Sequence, residues 1–386
     1  VITDAVLWVS HPAMMLERLG GMTVLERQLF TLARAGITRV WVAAQKPRGG
    51  GLEKLRMPAG LQTFWVDMVG DSPSECKPPY LGMSGDHVVR VDALRQILSQ
   101  QHSKPISFQD ESGRGVVQVI ARRTDGFVPH EKVPMPPGSC HVLQNPPDLG
   151  PALPWLLKSA VKSSDGFMAR VFDRHVSLAV TRRLLNTSVT PNFMTLLSTA
   201  LGLCGAALMT DGHRPFMVGG ALLVWLHTLL DGCDGEMARL KFLESRWGGI
   251  LDFWGDNLVH MALFVCMSVG ISRDHANFIF VLPGAVAAIG VLGSASVVFH
   301  YSSERAARKP SGPLFDGIAD LAHPEANGKL AKLETMLAQR DFIYLLVVLA
   351  AVDRLEEFLW AAGVGTPLFF VILLYLKKSD ARRQPA

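Results

Sequence analysis

The sequence predicts an N-terminal α/β domain followed by an all-α, six-helix transmembrane domain. Three observations carry that expectation. Of the 386 residues, 49% are hydrophobic, and the mean hydropathy of +0.24 is high for a water-soluble chain of this length. The apolar residues are unevenly spread: up to about Leu153 they form short runs between turns, charges and prolines, and from about Phe193 they form long blocks joined by short charged loops. The early short runs also alternate between strand-like and helix-like spacing, which favours a sheet with helices packed on it. The expected domains are 1–154 for the α/β part, 155–189 for a linker with an interfacial helix, and 190–386 for the membrane part.

In chain order, Ala5-Val6-Leu7-Trp8-Val9 is a short apolar run fit for a buried strand. Thr23 to Ala35 places Val24, Leu25, Leu29, Leu32 and Ala33 at helical spacing, and Gly36 ends it. Val40 to Ala43 and Leu61 to Val66 read as further strands, and Val88 to Leu98 includes a helix after a Gly85-Asp86 turn. Asp165 to Leu185, with Arg170, Arg174, Arg182 and Arg183, reads as an amphipathic helix lying at the membrane surface. After Thr190-Pro191-Asn192 six apolar blocks follow, at about 193–210, 215–240, 248–271, 276–301, 342–353 and 357–376. The fifth is short for a span, which needs about 20 residues.

The net charge of +4 is small. Cations gather at the borders of the apolar blocks: Arg182-Arg183, Lys241 with Arg246, Arg305 to Lys309, Lys329 to Arg340 and Lys377 to Arg383. Under a six-helix count all fall on one side, which places both ends and the α/β part in the cytoplasm. No basic stripe interleaved with aromatics marks a nucleic-acid surface. The five cysteines form no C-x-x-C pair and indicate neither a disulfide framework nor a zinc site. The opening segment Val1 to Leu7 does not read as a secretory signal.

The most informative stretch is Asp231-Gly232-Cys233-Asp234-Gly235-Glu236-Met237-Ala238-Arg239, followed by Gly248, Asp252 and Asp256. Carboxylates beside membrane spans are costly and pair, coordinate or line a wet cavity. Asp231 and Asp234 are three apart, and Asp252 and Asp256 four apart, so each pair shares a helix face. A tight loop between the two helices brings four carboxylates together, where they repel unless hard cations such as Mg²⁺ or Mn²⁺ bridge them. Gly232, Gly235, Ala238, Gly248 and Gly249 clear space beside them. An ion-coupled transporter is the rival class for such carboxylates; the internal repeats that accompany many transporters are not evident. His227 and His260, each one turn from an aspartate, read as interior residues, with tuning of Asp256 or the acceptor pocket as the alternative.

These residues resemble the signature of the CDP-alcohol phosphotransferase family, D-x-x-D-G-x-x-A-R, eight residues, then G-x-x-x-D-x-x-x-D, with every fixed position present. The segment from Asp165-Gly166 through Arg182 to Thr190-Pro191-Asn192 and Thr195 resembles the approach to that family's first membrane helix. The resemblance implies a six-helix, often dimeric membrane domain whose site opens to the cytoplasm, and an enzyme of phospholipid or polyol-phosphate synthesis in the cytoplasmic membrane. It implies a CDP-activated donor such as CDP-diacylglycerol, an alcohol or polyol phosphate acceptor, release of CMP, and two Mg²⁺ or Mn²⁺ ions. By matching position Asp231, Asp234 and Asp252 are metal ligands, and Asp256 is the general base and a further contact to metal. The cytidine nucleotide is expected against Asn192, Thr195, Asp231, Gly235, Ala238, Arg239 and Gly248.

Within the first 150 residues, Leu19-Gly20-Gly21-Met22-Thr23-Val24-Leu25-Glu26-Arg27 and Gly85-Asp86-His87-Val88-Val89 resemble sugar-phosphate nucleotidyltransferases. That family needs a glycine-rich loop after its first strand to cradle phosphates. Here the place is taken by Ser10-His11-Pro12-Ala13-Met14-Met15, without glycine and with a proline that removes a donor. The expectation is a scaffold-like domain without cytidylyltransferase activity; an active cytidylyltransferase is the alternative. The fusion itself is similar to bifunctional enzymes that make CDP-inositol and then transfer it, which points to an inositol phosphate as acceptor.

Overall fold

Ala5, Val6 and Leu7 offer no polar side-chain atom, and all three are fully buried at the centre of a seven-stranded sheet. The computed structural model describes residues 2–44, 55–66, 76, 78–100, 102, 104–121, 131–161, 168–308 and 342–383. By packing, the chain divides into two units, Val1–Ala160 with Leu240–Phe242, and Val161–Arg239 with Leu243–Ala386.

The strands of the first unit are β1 (Asp4–Trp8), β2 (Arg18–Leu19), β3 (Met22–Thr23), β4 (Arg39–Ala43), β5 (Gln62–Val66), β6 (Tyr80–Ser84), β7 (His87–Val89), β8 (Ile106–Gln109), β9 (Gly115–Ile120), β10 (Glu131–Pro134) and β11 (Cys140–Val142). The large sheet runs β10-β8-β9-β6-β1-β4-β5. Its centre is parallel: β1 pairs with β4 (Ala5 opposite Val40) and with β6 (Ala5 opposite Leu81). Strand β9 is antiparallel to both β6 and β8. Such central strands are covered on both faces, which is why β1 and β4 read as unbroken apolar runs. Helix α1 (Val24–Arg34) starts with a capping box: Glu26 N donates to Thr23 Oγ1 and Thr23 N to Glu26 Oε2, at 3.2 and 2.7 Å. Gly36, at φ +102°, closes the helix in a conformation other residues resist. The stretch Val88 to Leu98 includes the expected helix. His87–Val89 first pairs as β7 with β11, and helix α2 (Val91–Ser99) follows.

Beyond β1 the chain enters a 3₁₀ turn, Pro12–Leu16. Gly85 passes so close to β1 that an added Cβ would lie 2.8 Å from the Trp8 carbonyl. The adjacent Asp86 meets His11, with Nδ1 and Oδ1 3.0 Å apart. Helix α3 (Leu149–Ser159) completes the unit.

In the second unit a π-helical turn, Ala169–Asp173, leads into α4 (Arg174–Leu184); Asp165-Gly166 lies outside the described residues. Then come α5 (Pro191–Leu208), α6 (Arg214–Leu240), α7 (Arg246–Asp274), α8 (Val281–Arg308), α9 (Phe342–Ala351) and α10 (Leu355–Arg383). Five of these, α5 to α8 and α10, are long and apolar enough to cross a membrane. The fifth apolar block is described as an apolar helix over Phe342–Ala351, directly after residues that lie outside the described ones. Arg305–Arg308 continue α8 rather than forming a loop; Lys309 and Lys329 to Arg340 lie outside the described residues.

Glycine lets the spans approach closely. A Cβ on Gly205 of α5 would lie 2.8 Å from the Gly220 carbonyl of α6, and one on Gly220 would lie 2.5 Å from the Gly205 carbonyl. Membrane helices lack a hydrophobic drive toward one another, so such close backbone contact is a main source of cohesion. Val224, Val259, Leu263, Met267, Leu346 and Leu359 form the buried centre.

In the first unit, burial pushes the Asp110 carboxyl up. Hydrogen bonds from Ser112, Arg114 and His87 outweigh this and bring it down to about 2. A carboxylate depressed on folding contributes stability that is complete above its ordinary value of 3.8 and is lost as pH falls toward about 2. Asp110→Asn is therefore expected to lower the melting temperature of the full chain at pH 7 by on the order of a few degrees and to flatten its fall between about pH 4 and 2. Thermal unfolding followed by circular dichroism across that range checks this; parallel curves for the two proteins contradict it.

Candidate active site

Two helix ends build the site. Helix α6 carries Asp231 and Asp234 in its last turns, and α7 restarts after a short turn at Ser245, whose Oγ accepts from Gly248 N at 3.0 Å. This cap leaves Asp252 and Asp256 about two and three turns into α7, one helical turn apart on the same face. A carboxylate oxygen from each of Asp231, Asp252 and Asp256 lies within 4.8 Å of the others. Asp231 and Asp256 are buried, at 6% and 9% exposure, and Asp252 is half-buried.

Three carboxylates so close and so dry repel one another in proportion to the low local dielectric. Their spacing suits a cation instead. Oxygens on opposite sides of a Mg²⁺, Mn²⁺ or Ca²⁺ ion lie about 4–5 Å apart, twice a bond of about 2.0–2.6 Å. All three donors are hard oxygens, and no sulfur or imidazole belongs to the group. The set thus fits one divalent ion.

Asp234, the fourth predicted ligand, is buried beside this group with other partners. Its Oδ2 accepts from Thr195 Oγ1 on α5, and its Oδ1 from Gly235 N. The residues expected around a nucleotide are brought together in pairs. A Cβ on Gly248 would lie 3.0 Å from Asn192 Oδ1, so those two meet. Arg239 folds back over Gly235, its Nη1 3.0 Å from where a Cβ would stand. Ala238 gives its carbonyl to Leu243 N at 2.8 Å and helps close the helix end.

Two further residues of α6 belong to the site's surroundings, one noted from its spacing and one given no role by the sequence pattern. His227, read as an interior residue, is buried at 2% exposure, and its Nε2 lies 3.6 Å from Asp256 Oδ1. The available signal was its place four residues before Asp231, on the same helix face. Glu236, quoted in the motif without a role, is fully buried and bonded to α4. His260 packs instead against Phe342, ring centroids 5.4 Å apart. Close packing supports the site from behind: Gly202 lies against His227 and Val259, and Gly255 against Thr199 Oγ1.

A family model described as CDP-alcohol phosphatidyltransferase matches residues 188–371. The chain is 26% identical over 238 residues to a bifunctional IPC transferase and DIPP synthase of Aquifex aeolicus, covering 61% of this chain and 49% of that protein. It is 39% identical over 121 residues to the protein of the same description from Rubrobacter xylanophilus, covering 30% of this chain and 27% of that one. The chain therefore spans about half or less of the curated relatives it matches. Among solved structures, a Mycobacterium tuberculosis phosphatidylinositol phosphate synthase with CDP-DAG bound matches with a TM-score of 0.40 and 20% identity, over 55% of this chain and 99% of that one.

The carboxylate group predicts divalent-ion binding that is separable from any reaction. Mn²⁺ is expected to bind the purified protein, and Asp252→Asn to weaken it about tenfold or more. Loss of an outer-shell partner already costs about 10–100-fold in metal affinity, and a direct ligand at least as much. Electron paramagnetic resonance of free Mn²⁺ in a titration reads the affinity; equal affinities for both proteins rule out the cluster as the site.

Proposed function

The domain at residues 188–371 belongs to the CDP-alcohol phosphatidyltransferase family, and on that premise we propose that this chain transfers a substituted phosphate group. The donor is a CDP-activated molecule such as CDP-diacylglycerol, the acceptor is an alcohol, and the released product is CMP. The observation that carries this reading is the convergence of Asp231, Asp252 and Asp256 at the ends of two spans.

Asp256 is the general base. Its carboxylate takes the proton of the acceptor hydroxyl as that oxygen bonds to the donor phosphorus and the pyrophosphate P–O bond breaks. His227, beside Asp256 Oδ1, holds the carboxylate in place. Asp231, Asp234 and Asp252 would hold two Mg²⁺ or Mn²⁺ ions, which when bound neutralise the pyrophosphate and the departing CMP. Thr195 keeps Asp234 oriented by donating to its Oδ2. Asn192, Gly248, Gly235, Ala238 and Arg239 accept the cytidine nucleotide: the glycines admit it, and Arg239 meets phosphate with its planar fork. Nothing here needs a covalent enzyme intermediate, since positioning and electrostatics carry phosphoryl transfer.

For the acceptor we favour a polyol phosphate of the inositol phosphate class. The fusion of an α/β domain to this membrane domain supports it, as do relatives named for IPC transfer. The first unit acts as a scaffold without cytidylyltransferase activity. The pairing of Asp86 with His11, in a loop with no glycine, supports that role. The basic flanks of the spans favour a multi-pass protein of the cytoplasmic membrane with its site facing the cytoplasm, and a homodimer is the expected assembly.

Two outcomes test the reading. Purified protein with CDP-diacylglycerol, Mg²⁺ and a panel of polyols and their phosphates is expected to release CMP, fastest with the phosphorylated inositol, and excess EDTA is expected to stop it. Full turnover in chelator contradicts the metal assignment. Asp256→Asn is expected to cut kcat by about 10²–10⁴-fold, the usual contribution of a general base, while donor binding survives. Product masses and CMP release read both, and near-normal turnover by the variant removes Asp256 from that role.

A further inference from the structure

Glu236 lies inside the most functional stretch of the chain, yet its carboxylate meets neither Asp231, Asp252 nor Asp256 in the clustered group. It is fully buried, and α4 supplies its partners. Oε1 accepts from Arg174 Nη1 at 2.7 Å and Ser177 Oγ at 2.6 Å, and Oε2 accepts from Thr181 Oγ1 at 2.7 Å. Positions 174, 177 and 181 are spaced i, i+3, i+7 and so form one stripe of α4. Ser177 and Thr181 are themselves buried, at 1% and 0% exposure. The helix that sequence reads as a membrane-surface anchor thus turns a polar, partly charged stripe inward onto the catalytic helix.

The grip extends along α6. A Cβ on Gly232 would stand 3.1 Å from Arg174 Nη1 and 3.4 Å from Ser177 Cβ, so α4 lies flush against that glycine. Cys233 Sγ donates to the Ser177 carbonyl at 3.5 Å, and Cys233, Met237 and Met194 pack with Val180 and Leu184. At about 100° per residue, Glu236 points roughly 200° around the helix from Asp234 and about 140° from Asp231. The catalytic helix is therefore held from the side away from its carboxylates. A small rotation of α6 about its axis would swing Asp231 and Asp234 out of place; the Glu236 contacts oppose that rotation. A buried carboxylate with one cation and two hydroxyls on one helix tolerates few other arrangements, because any shift leaves a charge unpaired.

We propose that Glu236 is a positioning residue: through Arg174, Ser177 and Thr181 it locks α4 to the catalytic helix and thereby sets the carboxylate geometry for metal binding and turnover. The inference rests on the metal-dependent reading of the site given above. The test uses the full chain in detergent, with Mn²⁺ affinity read by paramagnetic resonance and with kcat and donor KM measured separately. Glu236→Gln, if folded as judged by elution and thermal melt, is expected to weaken Mn²⁺ about tenfold, within the range for outer-shell partners of metal ligands. Its kcat should fall by a similar factor, with donor KM moving less. Arg174→Gln should act in the same direction, and the double variant should lose no more than the worse single.

A folded Glu236→Gln with Mn²⁺ affinity and kcat within twofold of the parent overturns the proposal. If that variant does not fold, the near-isosteric Thr181→Val, which removes one hydroxyl from the clamp, decides: a threefold or larger loss of Mn²⁺ affinity supports the proposal and an unchanged affinity overturns it. A parent protein that binds no Mn²⁺ overturns the reading of the site, and this inference with it.

Discussion

Charge buried at the end of a membrane span is the constraint on which the rest of this site depends. Asp231, Asp234 and Asp256 are each at most 9% exposed, and Asp252 lies with them. An isolated carboxylate in such surroundings costs several kcal/mol or more, and neighbouring like charges add to the cost. The fold answers with oxygen-only geometry that suits a divalent cation, with Thr195 and Gly235 N on Asp234, and with His227 near Asp256. Each answer fixes a residue on a different helix: Thr195 on α5, His227 on α6, Asp252 and Asp256 on α7. Satisfying the charges and assembling the bundle are therefore one requirement.

That requirement explains the distribution of small residues. Carboxylates from two helices converge only if the backbones come close, and Gly202, Gly205, Gly220 and Gly255 stand where a Cβ would meet the neighbouring helix within 3 Å. Gly232 serves the same end against α4, and Gly248 against Asn192. In lipid this packing also supplies the cohesion that the hydrophobic effect supplies in water. The motif glycines Gly232 and Gly248 thus admit the neighbouring helices.

Much of this was legible in sequence because it is written in short-range periodicity. The i, i+3 and i, i+4 spacing of the aspartates announces shared helix faces, and the apolar blocks announce the spans. The helical spacing from Thr23 to Ala35 and the unbroken apolar runs of β1 and β4 announce the first unit's first elements. What stayed hidden depends on contacts far apart in the chain. Glu236 carries no assigned role in the motif until α4, some sixty residues earlier in sequence, is laid against it. His227 reads as a core histidine until α7 brings Asp256 within 3.6 Å.

The two units show the same residue type under opposite conditions. Asp86 sits at a strand end where one histidine meets its carboxylate. Among the described residues, the one group of three or more metal-capable side chains lies on α6 and α7, not at Asp86. At Asp231 the like charges are gathered rather than dispersed. Repulsion between them is a standing cost that binding a cation turns into attraction. An arrangement that would destabilise an empty helix bundle is thus one that suits a divalent cation. The burial of Glu236 on the far side of α6 belongs to the same logic: a helix whose one face is strained by like charge has to be held by the other.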